Sequence, residues 1–130
     1  MNDLLSIAAE RLAQQRLTGA PIDLELSERP LSERDGYALQ RLTNARLSSL
    51  GLGSLAGFKI GCTTLVMQRF LGIGSPCAGE VFATTILHER GTVRAADYRK
   101  LGVECEIVAF LSAAIEPSGA PFTAASVASH

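Results

Sequence analysis

Apolar positions follow two different repeats along the chain. Over residues 3–17, Leu4, Leu5, Ala8 and Leu12 recur at helical spacing, with Glu10, Arg11, Gln14 and Arg16 elsewhere. This predicts an amphipathic helix. Thr18-Gly19-Ala20-Pro21 ends it, the glycine as a C-terminal cap and the proline as a block to continuation. Residues 22–30 alternate weakly and are expected to form an extended connection. A second helix is predicted from Ser32, a good N-cap, with Asp35 where a capping box puts its acid. It runs through Tyr37, Ala38, Leu42, Ala45 and Leu50 to Gly51.

After Gly51-Leu52-Gly53 the repeat shortens. Gly57-Phe58-Lys59-Ile60-Gly61 predicts a short strand, its flanking glycines allowing a ligand or another backbone to come close. Lys59 inside it either snorkels to solvent or points into a polar pocket. Residues 63–71 predict a short helix capped by threonines and stopped by Gly72. The following Gly72-Ile73-Gly74-Ser75-Pro76 lacks the Gly-Lys-Ser/Thr ending and the strand–loop–helix order of a phosphate loop. Residues 80–87 predict a strand, with a turn at His88-Glu89-Arg90-Gly91 and a further short strand near Val93. His88 is read as a surface residue of that turn.

The densest strand pattern is 102–111, rich in β-branched residues and free of proline. Alternation puts Val103, Cys105, Ile107, Ala109 and Leu111 on one wholly apolar face, expected in the core. Glu104, Glu106, Val108 and Phe110 share the other, expected to be partly buried. Carboxylates two residues apart on a strand stand about 7 Å from each other. Like charges on a partly buried face repel and resist desolvation, which a Mg²⁺ or Mn²⁺ ion between them would relieve. The alternative is a solvated outer face. Past this stretch Pro117, Gly119 and Pro121 mark a loop, and 123–127 the first turn of a helix.

At 130 residues, the chain suits one domain able to bury about two thirds of its unfolded surface. A hydrophobic fraction of 47% excludes extended disorder. The net charge of −1, without a basic run, argues against nucleic acid and anionic membranes as partners. Aromatics at 5% and no Trp argue against a base-stacking platform. Cys62, Cys77 and Cys105 form no Cys-x-x-Cys pair, which fits a reducing compartment and offers no zinc framework. Cys105 is expected in the core. Cys62 is read as a packed thiol, since no histidine base is indicated near it. With no secretory pattern at the N-terminus and no apolar run of membrane-spanning length, a cytoplasmic location is expected.

Five motifs occur in order. They are Asp35-Gly36-Tyr37-Ala38-Leu39-Gln40, Gly57-Phe58-Lys59-Ile60-Gly61-Cys62-Thr63, Met67-Gln68-x-x-Leu71-Gly72-Ile73, Pro76-x-x-Gly79 and Val103-Glu104-Cys105-Glu106-Ile107. Together they resemble the hydratase/decarboxylase family of 2-oxopent-4-enoate hydratase and 4-oxalocrotonate decarboxylase, within the fumarylacetoacetate hydrolase superfamily. The resemblance implies an α+β fold, with N-terminal helices packed on the first strands of a mixed β-structure that is incomplete here. Residues 1–52 would be its helical part and 53–130 the start of its catalytic β-region, together the N-terminal part of a longer domain.

The resemblance implies Glu104 and Glu106 as ligands of Mg²⁺ or Mn²⁺ and Lys59 as an active-site lysine. It implies a lyase of aromatic-compound breakdown that hydrates a 2-hydroxy-dienoate or 2-oxo-enoate. An oxalocrotonate-type decarboxylase, a C–C hydrolase and a truncated non-catalytic remnant are the alternatives. Two departures stand out: Thr84 and Thr85 replace an acidic residue that relatives often carry, and the relatives' third carboxylate ligand lies in the helix beginning here at Thr123. An open sheet edge leads to an expected homo-oligomer.

Overall fold

In the computed structural model, which describes residues 2–128, both N-terminal helices form. The chain divides into two units, Met1–Arg99 and Lys100–His130, taken in turn. Helix α1 spans Asn2–Thr18 and helix α2 spans Glu33–Leu47. Ala8 and Ala9 pack against Leu39, flanked by Leu5, Leu12 and Leu24. These α1 positions lie at i, i+3, i+4 and i+7, the stripe a helix buries. Leu4 lies off that stripe and is exposed.

The connection between the helices is extended apart from one turn of 3₁₀ helix at Leu26–Glu28. Gln15 holds it to α1 from both sides, donating to the Asp23 carbonyl at 2.8 Å and accepting from the Asp23 N–H at 3.1 Å. Glu28 is only 6% exposed. Its carboxylate stays buried because it pairs with Arg11 of α1 at 3.2 Å and accepts the Glu25 N–H at 2.9 Å.

Helix α2 starts as its cap predicts. The Ser32 hydroxyl accepts from the Asp35 N–H at 3.1 Å and donates to the Asp35 carboxylate at 2.7 Å. The helix passes into a wider π-type turn, Ser48–Leu52, broken at Gly51 with φ of +106°. Side chains rarely adopt that conformation, so glycine stands there at little steric cost.

Strands β1, Leu55–Gly61, and β2, Cys77–Phe82, form a two-stranded antiparallel sheet with a register irregularity between Leu55 and Gly57. Helix α3, Leu65–Leu71, lies in the connection between them. It is capped by Thr64, whose hydroxyl accepts from Met67 N–H at 3.3 Å, and it ends at Gly72 in the left-handed region. The second strand corrects an expectation: it starts at Cys77 rather than residue 80 and stops at Phe82 rather than 87. Its limits are those of its partner, since Leu55 opposes Phe82 and Gly61 opposes Cys77. Beyond it the backbone turns at Ala83–Thr85, and no strand forms near Val93.

Phe82 and Leu47, both fully buried, meet Ala13 in a second apolar cluster with Leu52 alongside. One aromatic side chain thereby ties the sheet to both helices. Arg16 covers its ring, with the guanidinium carbon 5.5 Å from the centroid.

Along α2, Tyr37, Gln40, Asn44 and Leu47 form one stripe that meets β2. The Tyr37 hydroxyl accepts from the Ala78 N–H at 3.0 Å, and Gln40 donates to the Ala78 carbonyl at 3.1 Å. Asn44 donates to the Glu80 carboxylate at 2.6 Å. Side chains of α2 thus satisfy the backbone of Ala78 as a neighbouring strand would.

In the second unit, residues 102–111 form no strand. The alternation is present, but among the described residues no strand pairs with it, and a lone extended segment has no ladder to hold it. Its supposed core face is open to solvent, with Ile107 101% exposed. Cys105, Glu104 and Glu106 are likewise exposed, correcting the core placement of the first and the partial burial of the other two. The unit also has a 3₁₀ turn at Pro117–Gly119 and the short helix α4, Ala124–Val127, capped by Thr123 as its sequence predicts. The described architecture is mixed helix with a two-stranded sheet, an α+β arrangement. Among the described residues no helix is long and apolar enough to cross a membrane.

Candidate functional site

Lys59 sits in the middle of β1 opposite Gly79 of β2. Alternation places it on the sheet face away from Glu80 and the α2 stripe. Its stem runs over Gly79: a Cβ built there would lie 3.4 Å from Lys59 Cγ. The two glycine-bearing motifs of the sheet therefore meet, one supplying the lysine and the other an unobstructed floor. Lys59 is exposed, and among the described residues it has no carboxylate partner. Its ammonium is available to an anion.

On the α2 side of the sheet a cavity of about 530 Å³ opens between α2 and the Gly72–Pro76 turn. Glu33, Tyr37 and Gln40 line one side, and Pro76, Cys77 and Ala78 the other. Residues of the 35–40 motif thus face those of the 67–73 and 76–79 motifs across the cavity. Tyr37 and Gln40 are fixed by their bonds to Ala78, so the polar part of the wall is set before any ligand arrives. Among the described residues no cationic side chain lines this cavity, and Lys59 is not one of its lining residues.

Glu104 and Glu106 lie in the second unit and Lys59 in the first. Hard carboxylate oxygens suit Mg²⁺ or Mn²⁺ in kind. In number they fall short, because no group of three potential ligands exists among the described residues. Mg²⁺ requires a nearly complete octahedron, and two exposed carboxylates do not fit it as a resident ion.

Cys62 and Cys77 bring out a contact that the strand reading concealed. A strand beginning at residue 80 does not include Cys77, whereas the observed register puts it opposite Gly61, next to Cys62. A hydrogen bond to Cys77, and then burial, push the Cys62 thiol above its ordinary range. The Asn44–Glu80 bond was equally hidden, since neither residue carries a motif.

The chain is similar to a class of curated proteins, the 2-keto-4-pentenoate hydratases. It is 33% identical over 101 residues to 2-keto-4-pentenoate hydratase of Paraburkholderia xenovorans (strain LB400), and equally to 2-keto-4-pentenoate hydratase 3 of Pseudomonas putida. Each match covers 77% of this chain and 37% of the relative, so the matched part spans little more than a third of the relatives' length. No protein-family model matches the chain, and no solved structure matches it.

Proposed function

We propose that this chain is part of a hydratase-type lyase acting on a 2-hydroxy-dienoate or its 2-oxo-enoate form, in the breakdown of aromatic compounds. The observation that carries the reading is the 101-residue similarity to curated 2-keto-4-pentenoate hydratases. Lys59, above Gly79 and without a carboxylate partner among the described residues, supports it, because a 2-oxo acid presents a carboxylate for an ammonium to hold.

In that reaction the terminal vinyl carbon of the dienol takes a proton. Water then adds to the resulting conjugated enone, giving a 4-hydroxy-2-oxo acid. Lys59 pairs with the substrate carboxylate, orients the conjugated chain and stabilises negative charge that builds on the adjoining oxygen. Metal dependence belongs to the same proposal, with Glu104 and Glu106 as two ligands of Mg²⁺ or Mn²⁺ and further donors required. Self-association belongs to it too, because the outer edge of β1 has no strand beside it among the described residues.

The test is turnover of freshly generated 2-hydroxypenta-2,4-dienoate, followed by loss of its ultraviolet absorbance with Mg²⁺ or Mn²⁺ and again with excess chelator. Chelator-sensitive loss, with water incorporated into the product, is expected. A folded chain that leaves the dienoate untouched under both conditions overturns the reading. It would favour the non-catalytic alternative, which the incomplete ligand set also favours. Release of CO₂ from an oxalocrotonate-type substrate, without hydration of the dienoate, would make it a decarboxylase.

A further inference from the structure

The end of the hairpin carries two thiols whose placement serves none of the chemistry above. Gly61 and Cys77 are the last cross-strand pair of the sheet, and Cys62 follows Gly61 directly. Residues directly opposite stand about 5 Å apart between Cα atoms, and one step along a strand adds about 3.3 Å. The diagonal from Cys62 to Cys77 is therefore about 6 Å, inside the range a disulfide spans.

Neighbouring strand residues ordinarily point to opposite faces. Cys62 escapes that rule because its backbone turns into the left-handed region, with φ of +56°. Such a conformation is uncommon for a residue with a side chain. Cys77 Sγ also leans over Gly61, 3.7 Å from where a Cβ at that position would stand.

We propose that Cys62 and Cys77 form a thiol–disulfide switch, closed by a small-molecule disulfide such as oxidised glutathione and reopened by a dithiol. Cys77 is the more exposed of the two and meets the oxidant first. Its thiolate attacks one glutathione sulfur, forming a mixed disulfide and expelling a glutathione thiolate. Cys62 then gives up its proton and attacks the Cys77 sulfur, expelling the second glutathione thiolate. The two cysteines lose two electrons, oxidised glutathione gains them, and the two thiol protons end on the released glutathiones.

The bond closes a loop over α3 and the Gly72–Pro76 turn, and Cys77 lines the cavity wall that this turn completes. Oxidation would thereby fix one wall of the cavity. Cys105, in the other unit, serves as an internal control. The switch does not depend on the lyase reading, and neither does its test.

The experiment exposes the full, natively folded chain to oxidised glutathione, blocks remaining thiols by alkylation and maps tryptic peptides without reductant. Trypsin separates the two cysteines into peptides 60–69 and 70–90. The expected result is a cross-link between those peptides, alkylation falling from three cysteines to Cys105 alone, and recovery of all three labels after dithiothreitol. Cys105→Ser should keep the link. Cys62→Ser should stop the reaction at glutathione on Cys77. Persistent mixed disulfide on Cys77 in the unaltered chain would overturn the proposal. So would links that use Cys105 as often as Cys62, or a link formed as readily in concentrated guanidinium chloride.

Discussion

Lys59 lies across Gly79. The pair faces each other in the sheet, and the lysine stem lies within van der Waals contact, 3.4 Å, of where a Cβ at position 79 would stand. Stem and ammonium thus have separable roles, the first packing on the sheet and the second available to a ligand. Lys59→Met keeps the stem and removes the charge. Its stability should stay within about 0.5 kcal/mol of the parent by urea denaturation. On the hydratase reading its turnover should fall about 100-fold or more. Gly79→Val keeps the charge and displaces the stem, and should reduce turnover by a smaller factor. Unchanged turnover in Lys59→Met would remove the lysine from the site.

Phe82 is where a mutation should harm the fold most. It is fully buried and joins the sheet to Leu47 and Ala13, on one helix each. Phe82→Ala should cost about 3–5 kcal/mol, from lost burial and the cavity left behind. Domains of this size have stabilities of only about 5–15 kcal/mol, so the first unit would be barely folded. Leu47→Ala should cost about 2–5 kcal/mol. Because the two side chains touch, the double substitution should cost less or more than the sum of the singles. Strict additivity in denaturant titrations would contradict a shared cluster.

Glu10 sets an acid limit on the contact between α1 and α2. Arg46 donates two hydrogen bonds to its carboxylate and Gln14 donates one at 3.1 Å. The Arg46 hydrogen bond, then that of Gln14, hold Glu10 below its ordinary range. Unfolded, the same group returns to the ordinary glutamate range. Between the two values the unfolded chain binds more protons, so stability rises with pH there. The contribution is whole above the unfolded value and disappears as pH falls through the lowered folded one. Glu10→Gln should therefore flatten the melting temperature against pH on the acid side and barely change its shape near neutrality. An unaltered acid limb would mean that the pair contributes nothing.

Local signals were legible from sequence wherever the physics is local. Ser32 with Asp35, Thr64, Gly72 and Thr123 mark helix ends because a cap needs only neighbouring residues. Non-local features were not. Val103 to Leu111 alternates as a strand should, but a strand exists only with a partner, and periodicity cannot supply one. The limits of β2 are set by β1, which brings Cys77 into register with Gly61. The flanking glycines draw attention to Lys59, but the residues alone leave it between solvent and a pocket, and its candidacy rests on the family resemblance. What lies beneath it was not legible, since Gly79 is twenty residues away and has no side chain to announce a contact.

Glu104 and Glu106 yield a prediction about the ion itself. Both are exposed, and among the described residues no third ligand stands with them. Two carboxylates replace few of the waters Mg²⁺ or Mn²⁺ holds, and they contribute little rigidity to the site. Titration of the chain with Mn²⁺, read by loss of the free-ion spin resonance signal, should give a dissociation constant of about 1 mM or weaker. Glu104→Gln and Glu106→Gln should each weaken it further, and a chelator should leave the melting of the first unit where it is. Micromolar binding that both substitutions abolish would mean that another donor completes the set. In a self-associating chain that donor could come from a second copy, and the binding would then fall on dilution as the assembly comes apart.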